Sequence, residues 1–420
     1  MTLLKRQTRP TSASNTSREI LVAKGTAAEV KSTKSVFRQG DLLYGKLRPY
    51  LNKVWLADFD GLCSTDILVF PKSEAYDNRF LKYRFLTRDF VNYANSNSSG
   101  VNLPRVNLKA LGRFEINLPP LPEQRRIVAR IEELFSRLDA GAAALRHAKA
   151  RLQRYRQSVL AAAVTGQLTQ AWREQHPDTE PADELLAQIL TDRRENWSGR
   201  GKYKPPIEPS GSEFTQLPDR WAETNVDSLI DGGVQNGLYL PKSKYGSGFP
   251  ILRIDDFQIG WVRPLTELQL VNADENQIDT YSLAVGDLVI NRVNSLTHLG
   301  KSALIRKHNS PALFESNMMR ARISERVFRP FVELYLHSRI GRTLLTRNAK
   351  WAVNQASINQ TDVCSTPLPL PPLAEQHQIV AEVESRTTAI DHLEAELDHQ
   401  ITRSNRLRQS TLATAFSGQL

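Results

Sequence analysis

Two groups of basic and amide side chains stand beside turns between short β-rich segments, where they could contact a nucleic acid. Arginine and lysine bind phosphates or guanine edges, and asparagine can form two hydrogen bonds with adenine. The candidates are Lys46, Arg48, Lys53, Asn102, Arg105 and Asn107 within residues 1–117, and Arg292, Asn294, Lys301, Arg306, Asn354 and Asn359 within residues 221–369. These residue types fit a nucleic-acid ligand; the alternative is that each is a solvated surface group.

Sequence motifs that would carry catalysis are absent. There is no GxxxxGK[ST] phosphate loop, no Gly-rich turn that would hold S-adenosylmethionine, and no HExxH metal motif. The segment Asn117–Pro120 only superficially resembles the Asn/Asp-Pro-Pro-aromatic signature of amino-methyltransferases, because the order differs and the aromatic residue is missing. We therefore expect a non-catalytic binding protein that holds no metal or cofactor, with a nuclease or methyltransferase fragment as the alternative.

The charge distribution agrees with a polyanionic partner. The 420 residues carry a net charge of +10, and residues 1–117 hold 19 Lys/Arg against 10 Asp/Glu, while residues 221–368 hold 16 against 14. The two cysteines, Cys63 and Cys364, exclude a disulfide framework and a CxxC zinc site. No run of eighteen apolar residues and no signal-peptide pattern is present, so we expect a cytoplasmic protein without a membrane partner.

An internal repeat is the strongest feature of the sequence. Residues 118–168 match residues 370–420 at a constant offset of 252 without a gap, and about half of the positions are identical. In each copy a glutamate, Glu123 or Glu375, falls in the predicted first helical turn, where it is favourable against the helix dipole. A glycine, Gly166 or Gly418, stands where a helix would end. Each copy therefore predicts one long helix.

The apolar residues of both copies are spaced alternately by four and three positions, the heptad pattern of a coiled coil. The predicted seam consists of Ile127, Ile131, Leu134, Leu138, Leu145 and Leu152 in the first copy, and Ile379, Val383, Ile390, Leu393, Leu397 and Leu407 in the second. Over some forty residues each helix would be about 60 Å long. We expect the two helices to pair antiparallel; the alternative is that each packs only on its neighbouring domain.

The fold predicted from these patterns is α+β, with two α/β domains separated by two long helices that pair as an antiparallel coiled coil. The segments are domain 1–117, helical repeat 118–168, linker 169–220 with a helix from Pro181 to Glu195, domain 221–369 and helical repeat 370–420. The repeat continues weakly into the domains. Asn102 and Asn107 recur as Asn354 and Asn359 at an offset of 252, and Gly40–Leu42 resembles Gly286–Leu288 at an offset of 246.

The helical repeats resemble the conserved regions of type I restriction–modification specificity subunits. The resemblance rests on L-P-P-L-x-E-Q with I-V-A, and on R-Q-S-x-L-x-A-x-x-[ST]-G-Q-L. These motifs occupy Leu118–Gln124, Ile127–Ala129 and Arg156–Leu168 in the first copy, and Leu370–Gln376, Ile379–Ala381 and Arg408–Leu420 in the second. Trp221 and Gly286–Leu288 also resemble landmarks of the family's target-recognition domains.

The resemblance implies that each α/β domain is a target-recognition domain reading one half of a bipartite, asymmetric sequence in double-stranded DNA. It implies that the paired helices act as a spacer and dock two methyltransferase subunits, which restriction–translocase subunits join. S-adenosylmethionine, ATP and Mg²⁺ would then be bound by the partner subunits and none by this chain. The chain itself would be the non-catalytic recognition subunit of an adenine methyltransferase and restriction endonuclease complex.

The first domain departs from the family pattern in its length. From Trp221 to Gly286 there are 65 residues, whereas only 39 residues precede Gly40, and no tryptophan equivalent to Trp221 is found there. We therefore expect a first domain that is shortened at its N-terminal side. A gene start assigned too late, a natural compact domain, a defective truncated specificity subunit and a coiled-coil scaffold without sequence recognition remain as alternatives.

Overall fold

The computed structural model describes residues 2–4, 24–26, 33–197, 202–208, 213–214, 216–295, 298–352 and 355–420. Internal contacts divide the chain into two units. Unit 1 comprises Met1–Ala150 and Glu394–Leu420, and unit 2 comprises Arg151–Leu393. Each unit contains one α/β domain together with part of each of two long helices.

In unit 1, short strands precede three helices and the start of the first long helix. The elements are β1 (Thr2–Leu4), β2 (Lys24–Thr26), β3 (Lys34–Phe37), β4 (Leu42–Gly45), β5 (Val54–Leu56), β6 (Gly61–Ser64), β7 (Ile67–Phe70), α1 (Asn78–Phe85), α2 (Arg88–Ser96), α3 (Leu108–Leu111) and α4 (Leu121–Val164). One sheet has the order β2-β1-β6-β3 and the other β5-β4-β7.

The core of unit 1 is aromatic and includes the long helices. Tyr44 on β4 is fully buried, with its ring 5.5 Å from that of Phe90, which stacks on Phe85 at 4.2 Å. The same cluster contains Ile131 of α4 and Leu412 near the C-terminus of the chain. The domain and the helices of this unit therefore share one apolar core.

Unit 2 begins within α4, which is followed by a larger set of elements. These are α5 (Gln170–Gln175), α6 (Ala182–Glu195), β8 (Ala222–Asn225), β9 (Ile230–Asn236), β10 (Tyr245–Leu252), β11 (Phe257–Gln258), β12 (Trp261–Val262), β13 (Gln269–Val271), α7 (Glu275–Tyr281), β14 (Asp287–Asn291), β15 (Val293–Asn294), β16 (Ser302–Leu304), β17 (Leu313–Phe314), β18 (Met318–Ile323), α8 (Arg329–His337), α9 (Arg339–Thr346), β19 (Lys350–Ala352), β20 (Gln355–Ser357), α10 (Gln360–Cys364), β21 (Pro367–Leu370) and α11 (Leu373–Phe416).

An antiparallel sheet in the order β16-β14-β18-β9 forms the centre of unit 2. Its inner face packs on α8, where Phe331 and Tyr335 are fully buried. The Tyr335 hydroxyl donates a 2.6 Å hydrogen bond to the carbonyl of Pro367. The helix predicted in the linker is observed as α6, and its residues Leu185 and Ile189 belong to the same core. The predicted α+β class is confirmed.

The Gly-Asp-Leu segments form the same turn in both units. Gly40 and Gly286 have φ values of 88° and 89°, a left-handed conformation that favours glycine. The following aspartate folds back on the turn: a carboxylate oxygen of Asp41 accepts from the backbone nitrogen of Arg38 at 2.8 Å, and Asp287 accepts from that of Ala284 at 2.9 Å. The weak repeat seen in the sequence therefore reflects equivalent positions in two related domains.

The two long helices pair antiparallel, as predicted. In unit 1, Lys149 Nζ lies 2.6 Å from Asp398, and Arg408 lies 2.6 Å from Asp139. In unit 2, Arg156 contacts Asp391. Moving Arg156 and Asp139 by the 252-residue offset gives Arg408 and Asp391, so these two ion pairs are equivalent. The repeated helices consequently meet in the same register in both units.

The residues of the predicted seam differ in burial. Ten of the twelve side chains are buried or half-buried (Ile127, Ile131, Leu134, Leu138, Leu145, Leu152, Ile379, Val383, Ile390 and Leu397), but Leu393 is 54% exposed and Leu407 is 45% exposed. From Ile390, alternating steps of four and three residues that begin with four reach Glu394 and Arg408, not Leu393 and Leu407. Polar residues therefore occupy part of the pairing face, and the leucines one position earlier lie outside it.

The helices can be compared with the length and apolar character that a membrane span requires. In the part of the chain that is described, no helix combines the length and the apolar character needed to span a bilayer.

Candidate nucleic-acid interface

Unit 1 contains a small β-ribbon that brings three of its predicted DNA-binding residues together. Leu47 pairs antiparallel with Arg105, and Arg105 pairs in turn with Ser99. The backbone nitrogen of Arg48 donates to Pro104 at 2.7 Å, and that of Val106 donates to Lys46 at 3.1 Å. We call residues 46–48 and 99–106 ribbon 1. It places Lys46, Arg48 and Arg105 on adjacent backbone segments, with Asn102 in the exposed turn between them.

Unit 2 contains the equivalent ribbon. Val293 pairs with Ser357 and Asn294 with Ala356, and β19 completes the three strands. The backbone nitrogen of Ile358 donates to the Arg292 carbonyl at 2.9 Å. We call residues 292–294 with the described residues of 350–358 ribbon 2. The contacts of residues 292–294 with 356–358 reproduce those of ribbon 1 at the offsets of 246 and 252, whereas the pairing of β19 with β20 is shifted by one residue relative to that of Ser99 with Arg105.

The charged side chains of ribbon 1 are held by local structure. Arg48 has φ 52° although it is not glycine and precedes Pro49, so its backbone is strained. Its Nε atom is buried without a hydrogen bond to the described residues. Arg105 forms a 3.0 Å ion pair with Asp66, and Lys46 is half-buried. The three cations of ribbon 1 are therefore held differently: Arg48 by its backbone, Arg105 by an ion pair and Lys46 by partial burial.

Ribbon 2 combines a held cation with amide and aromatic groups. Arg292 is half-buried and donates through Nη1 to the Ser316 carbonyl at 3.4 Å. The Asn294 Oδ1 atom accepts from the backbone nitrogen of Ser295 at 2.7 Å, and its amide nitrogen donates to none of the described residues. Trp351 on β19 is 71% exposed. Because an aromatic ring buries a large area at an interface, this exposure indicates a contact surface.

Two predicted DNA-binding asparagines have a structural role instead. Asn107 Oδ1 accepts from the backbone nitrogen of Ala110 at 2.8 Å and caps α3. Asn359 caps α10 in a reciprocal arrangement with Asp362. Capping satisfies backbone N–H groups that have no partner within the helix. The amide oxygens of these two residues are thus engaged in helix caps, their contact with bases stays a prediction, and Asn354 lies outside the described residues.

In unit 2, the predicted DNA-binding residues Lys301 and Arg306 contact other side chains of the protein. Lys301 is buried, its Nζ donates to Gln258 at 3.1 Å, and burial lowers its pKa below the usual range. Arg306 lies 3.4 Å from the buried carboxylate of Glu333. The burial of Lys301 contradicts the prediction that it binds DNA, whereas the Arg306 side chain is 53% exposed and its contact with DNA stays a prediction. Lys53 is exposed at the start of β5, outside ribbon 1.

The repeat motif contains a glutamine whose role the sequence did not reveal. Gln124 and Gln376 are fully buried at equivalent positions. Gln124 donates to Pro119 at 2.7 Å and accepts from the backbone nitrogen of Asp77, the N-cap of α1, at 2.9 Å. Gln376 donates to Pro371 and accepts from Phe328, the N-cap of α8, both at 2.9 Å. Each glutamine thus fastens an α/β domain to a long helix.

The adjacent glutamate differs between the copies. Glu375 is fully buried and accepts from Thr169 Oγ1 at 2.7 Å, Arg173 Nη2 at 2.8 Å and Trp221 Nε1 at 2.8 Å. Glu123 instead pairs with Arg126 at 2.7 Å on the surface. Both glutamates lie in the first turn of a long helix, as the sequence predicts, but the buried network around Glu375 was not predicted.

Comparison with known proteins agrees with this architecture. A family model described as the type I restriction modification DNA specificity domain matches residues 19–144. The EcoKI specificity subunit of Escherichia coli K12 is 28% identical over 364 residues, which are 86% of this chain and 68% of that protein. The EcoDI specificity subunit of Escherichia coli is 40% identical over 161 residues, 38% of this chain and 36% of that protein.

Solved structures share the fold. A chain from a structure concerned with complex assembly and conformational transition of the type I R-M system aligns with TM-score 0.70 and 22% identity, over 95% of this chain and 87% of that one. The HsdS subunit from Thermoanaerobacter tengcongensis aligns with TM-score 0.52 and 22% identity, over 95% and 86%. The two helical repeats, the sequence relatives and this shared fold make the chain similar to type I restriction–modification specificity subunits.

Proposed function

We propose that this chain is the sequence-reading, non-catalytic subunit of a type I restriction–modification complex and that it binds a bipartite target in double-stranded DNA. The observation that carries the proposal is the presence of two equivalent ribbons that present different side chains. Equivalent backbones allow both domains to approach DNA in the same way. Different side chains at equivalent positions would make the two half-sites different, which gives an asymmetric target.

In this proposal the paired helices set the distance between the two half-sites. Gln124 and Gln376 fasten the domains to helices whose register is set by ion pairs. Once one domain has bound its half-site, the second contact becomes intramolecular, which raises the overall affinity and restricts the spacing. Because B-DNA rises by about 3.4 Å per base pair, a helix longer or shorter by one turn would shift the spacing by one or two base pairs.

Partner subunits would perform the chemistry. We propose that the repeated helices dock two methyltransferase subunits at equivalent surfaces, and that restriction–translocase subunits join this complex. The methyltransferase would flip the target adenine out of the duplex and bind S-adenosylmethionine, while ATP and Mg²⁺ would be bound by the translocase. That this chain binds no cofactor, and that it resides in the cytoplasm, stay predictions.

The test is a methylation map. This chain would be expressed with its neighbouring methyltransferase gene in a host without DNA methylation, and modified adenines would be located by single-molecule sequencing. A split motif with two specific halves is the expected result. A motif with one specific half would indicate a defective first domain, and a soluble complex without any methylation would contradict the proposal. Failure to form a complex would favour a scaffold.

A control separates recognition from assembly. The same map would be made with the methyltransferase expressed alone, which should leave the DNA unmodified at that motif. Binding of the complex to DNA fragments with and without the mapped motif would then be compared at several salt concentrations. Specific binding should exceed non-specific binding by about a thousandfold or more. Equal affinity for both fragments would show that the chain does not read sequence.

A further inference from the structure

The two ribbons can be aligned residue by residue through their hydrogen bonds. The carbonyls of Lys46 and Arg292 accept from Val106 and Ile358, which are themselves equivalent at the offset of 252. Two residues further along, Arg48 stands opposite Pro104 and Asn294 opposite Ala356. The first position is a cation in both ribbons, whereas the second is arginine in one and asparagine in the other.

We propose that the position of Lys46 and Arg292 binds DNA phosphate in both half-sites, and that the position of Arg48 and Asn294 selects a base. The inference rests on the proposed function and assigns residues within it. A phosphate is present whatever the sequence, so its ligand can be the same kind of residue in two domains with different targets. A base contact must differ where the half-sites differ.

The chemistry of the second position specifies the base. Arginine forms a bidentate pair with O6 and N7 of guanine, and asparagine forms one with N6 and N7 of adenine. Arg48 has no carboxylate partner among the described residues, and its Nε atom lacks a hydrogen-bond partner there. Asn294 accepts one local hydrogen bond through Oδ1, which leaves its amide nitrogen and a second lone pair. Arg48 therefore selects guanine in the first half-site and Asn294 adenine in the second.

The backbone of Arg48 adds an independent argument. A left-handed conformation in a residue that is neither glycine nor asparagine is uncommon, and a following proline disfavours it further. Asparagine accepts this conformation several-fold more readily than arginine does. Folding alone would thus be served better by asparagine at position 48. The arginine is explained by a function of its side chain.

A substitution that suits the backbone at position 48 can test the base assignment. The substitution Arg48→Asn gives ribbon 1 the side chain of ribbon 2 and relieves backbone strain. In the methylation map of the complex, we expect one guanine of the first half-site to change to adenine, with the second half-site unchanged. The preference for the original base should fall by about 5- to 150-fold. The reciprocal variant Asn294→Arg should change one adenine of the second half-site to guanine.

The phosphate position is tested by Lys46→Ala. This variant should keep the wild-type motif while its binding weakens and the slope of log K against log salt becomes shallower by about 0.9. Arg88→Asn, which removes one charge from the exposed start of α2 outside ribbon 1, is the matched control and should alter neither the motif nor the slope.

The outcomes separate this inference from the function on which it rests. If the wild-type complex yields no bipartite motif, the proposed function fails. If the wild-type motif is bipartite but Arg48→Asn and Asn294→Arg leave it unchanged, only the base assignment is overturned. A change of motif caused by Lys46→Ala would overturn the phosphate assignment. A guanine-to-adenine change confined to the first half-site would establish Arg48 as a specificity determinant.

Discussion

Replacing Glu375 by glutamine is the most direct test of how the second domain is held on its helix. The glutamate side chain is fully buried and accepts hydrogen bonds from three other side chains, those of Thr169, Arg173 and Trp221. The amide has nearly the same shape, so a loss of stability can be assigned to charge and hydrogen bonding. Its NH₂ group cannot accept a hydrogen bond and would face donors.

The expected loss follows from the surroundings. Removing one partner of a buried ion pair costs about 3–5 kcal/mol, because the other charge stays uncompensated. Arg173 retains 19% side-chain exposure and can recover some hydration, so we expect a loss at the lower end, about 3 kcal/mol. The repeat offers a matched control in Glu123→Gln. Glu123 occupies the equivalent position on the surface, and its replacement should have little effect on stability.

Hydrogen exchange followed by mass spectrometry measures this effect locally, which suits a chain with two units that need not unfold together. Peptides covering α5 and residues around Trp221 should lose protection in Glu375→Gln, while peptides of the first domain keep theirs. The midpoint of urea unfolding should fall in parallel. Equal protection in wild type and Glu375→Gln, or an equal loss in Glu123→Gln, would refute the reasoning.

Four further predictions follow from other contacts. Lys149→Asp places like charges together on the paired helices and should lower stability, and adding Asp398→Lys should recover about 0.2–1 kcal/mol; additive losses in urea unfolding would contradict a direct pair. Burial lowers the pKa of His337, so below about pH 6.5 the unfolded chain binds a proton that the folded chain excludes, and stability is lost as the pH falls; His337→Asn should flatten this dependence between pH 5 and 8, and an unchanged slope would assign it elsewhere. Burial raises the pKa of the Cys63 thiol to about 11, so alkylation at pH 8 should be much slower than in urea, and equal rates would show that the site opens readily. Gln376→Ala leaves a buried backbone N–H and C=O without partners and should cost about 1–3 kcal/mol, seen as faster exchange at the start of α8; unchanged exchange there would exclude the proposed fastening role.

The internal repeat gives this protein two copies of the same set of structural features. The Gly-Asp-Leu turn, the glutamine at the start of each long helix, and the ribbon all occur once in each unit. Differences between the copies are therefore informative: Glu375 is buried where Glu123 is exposed, and Asn294 stands where the first copy has Arg48. Shared features would serve assembly or sequence-independent contact with DNA, and differing ones would serve recognition or domain-specific anchoring.

Local patterns were sufficient for the long helices and their partnership. The heptad spacing, the prolines before each helix and the glycines after it specify element type and limits, because these effects act within a few residues. Leu393 and Leu407, which are exposed, were included in the predicted seam for their apolar character. Continuing the heptad from Ile390 would have selected Glu394 and Arg408, which lie on the pairing face.

The candidate site was only partly predictable. The cap formed by Asn359 with Asp362 has a sequence signature three residues apart and could have been recognised as a helix start. The burial of Lys301 had no such signal, because it depends on chain segments that pack over it. Basic side chains look alike in a sequence whether they face solvent, a carboxylate or DNA.

The sequence by itself determined the repeat, the two long helices, the α+β class and the family resemblance, because each depends on short-range spacing or on identity between the two copies. Tertiary structure alone decided which candidates stand together. Lys46 meets Val106 across 60 residues, and Trp221 reaches Glu375 across 154. Such contacts are set by the packing of whole elements, whose free energy is shared among many side chains and leaves no local pattern.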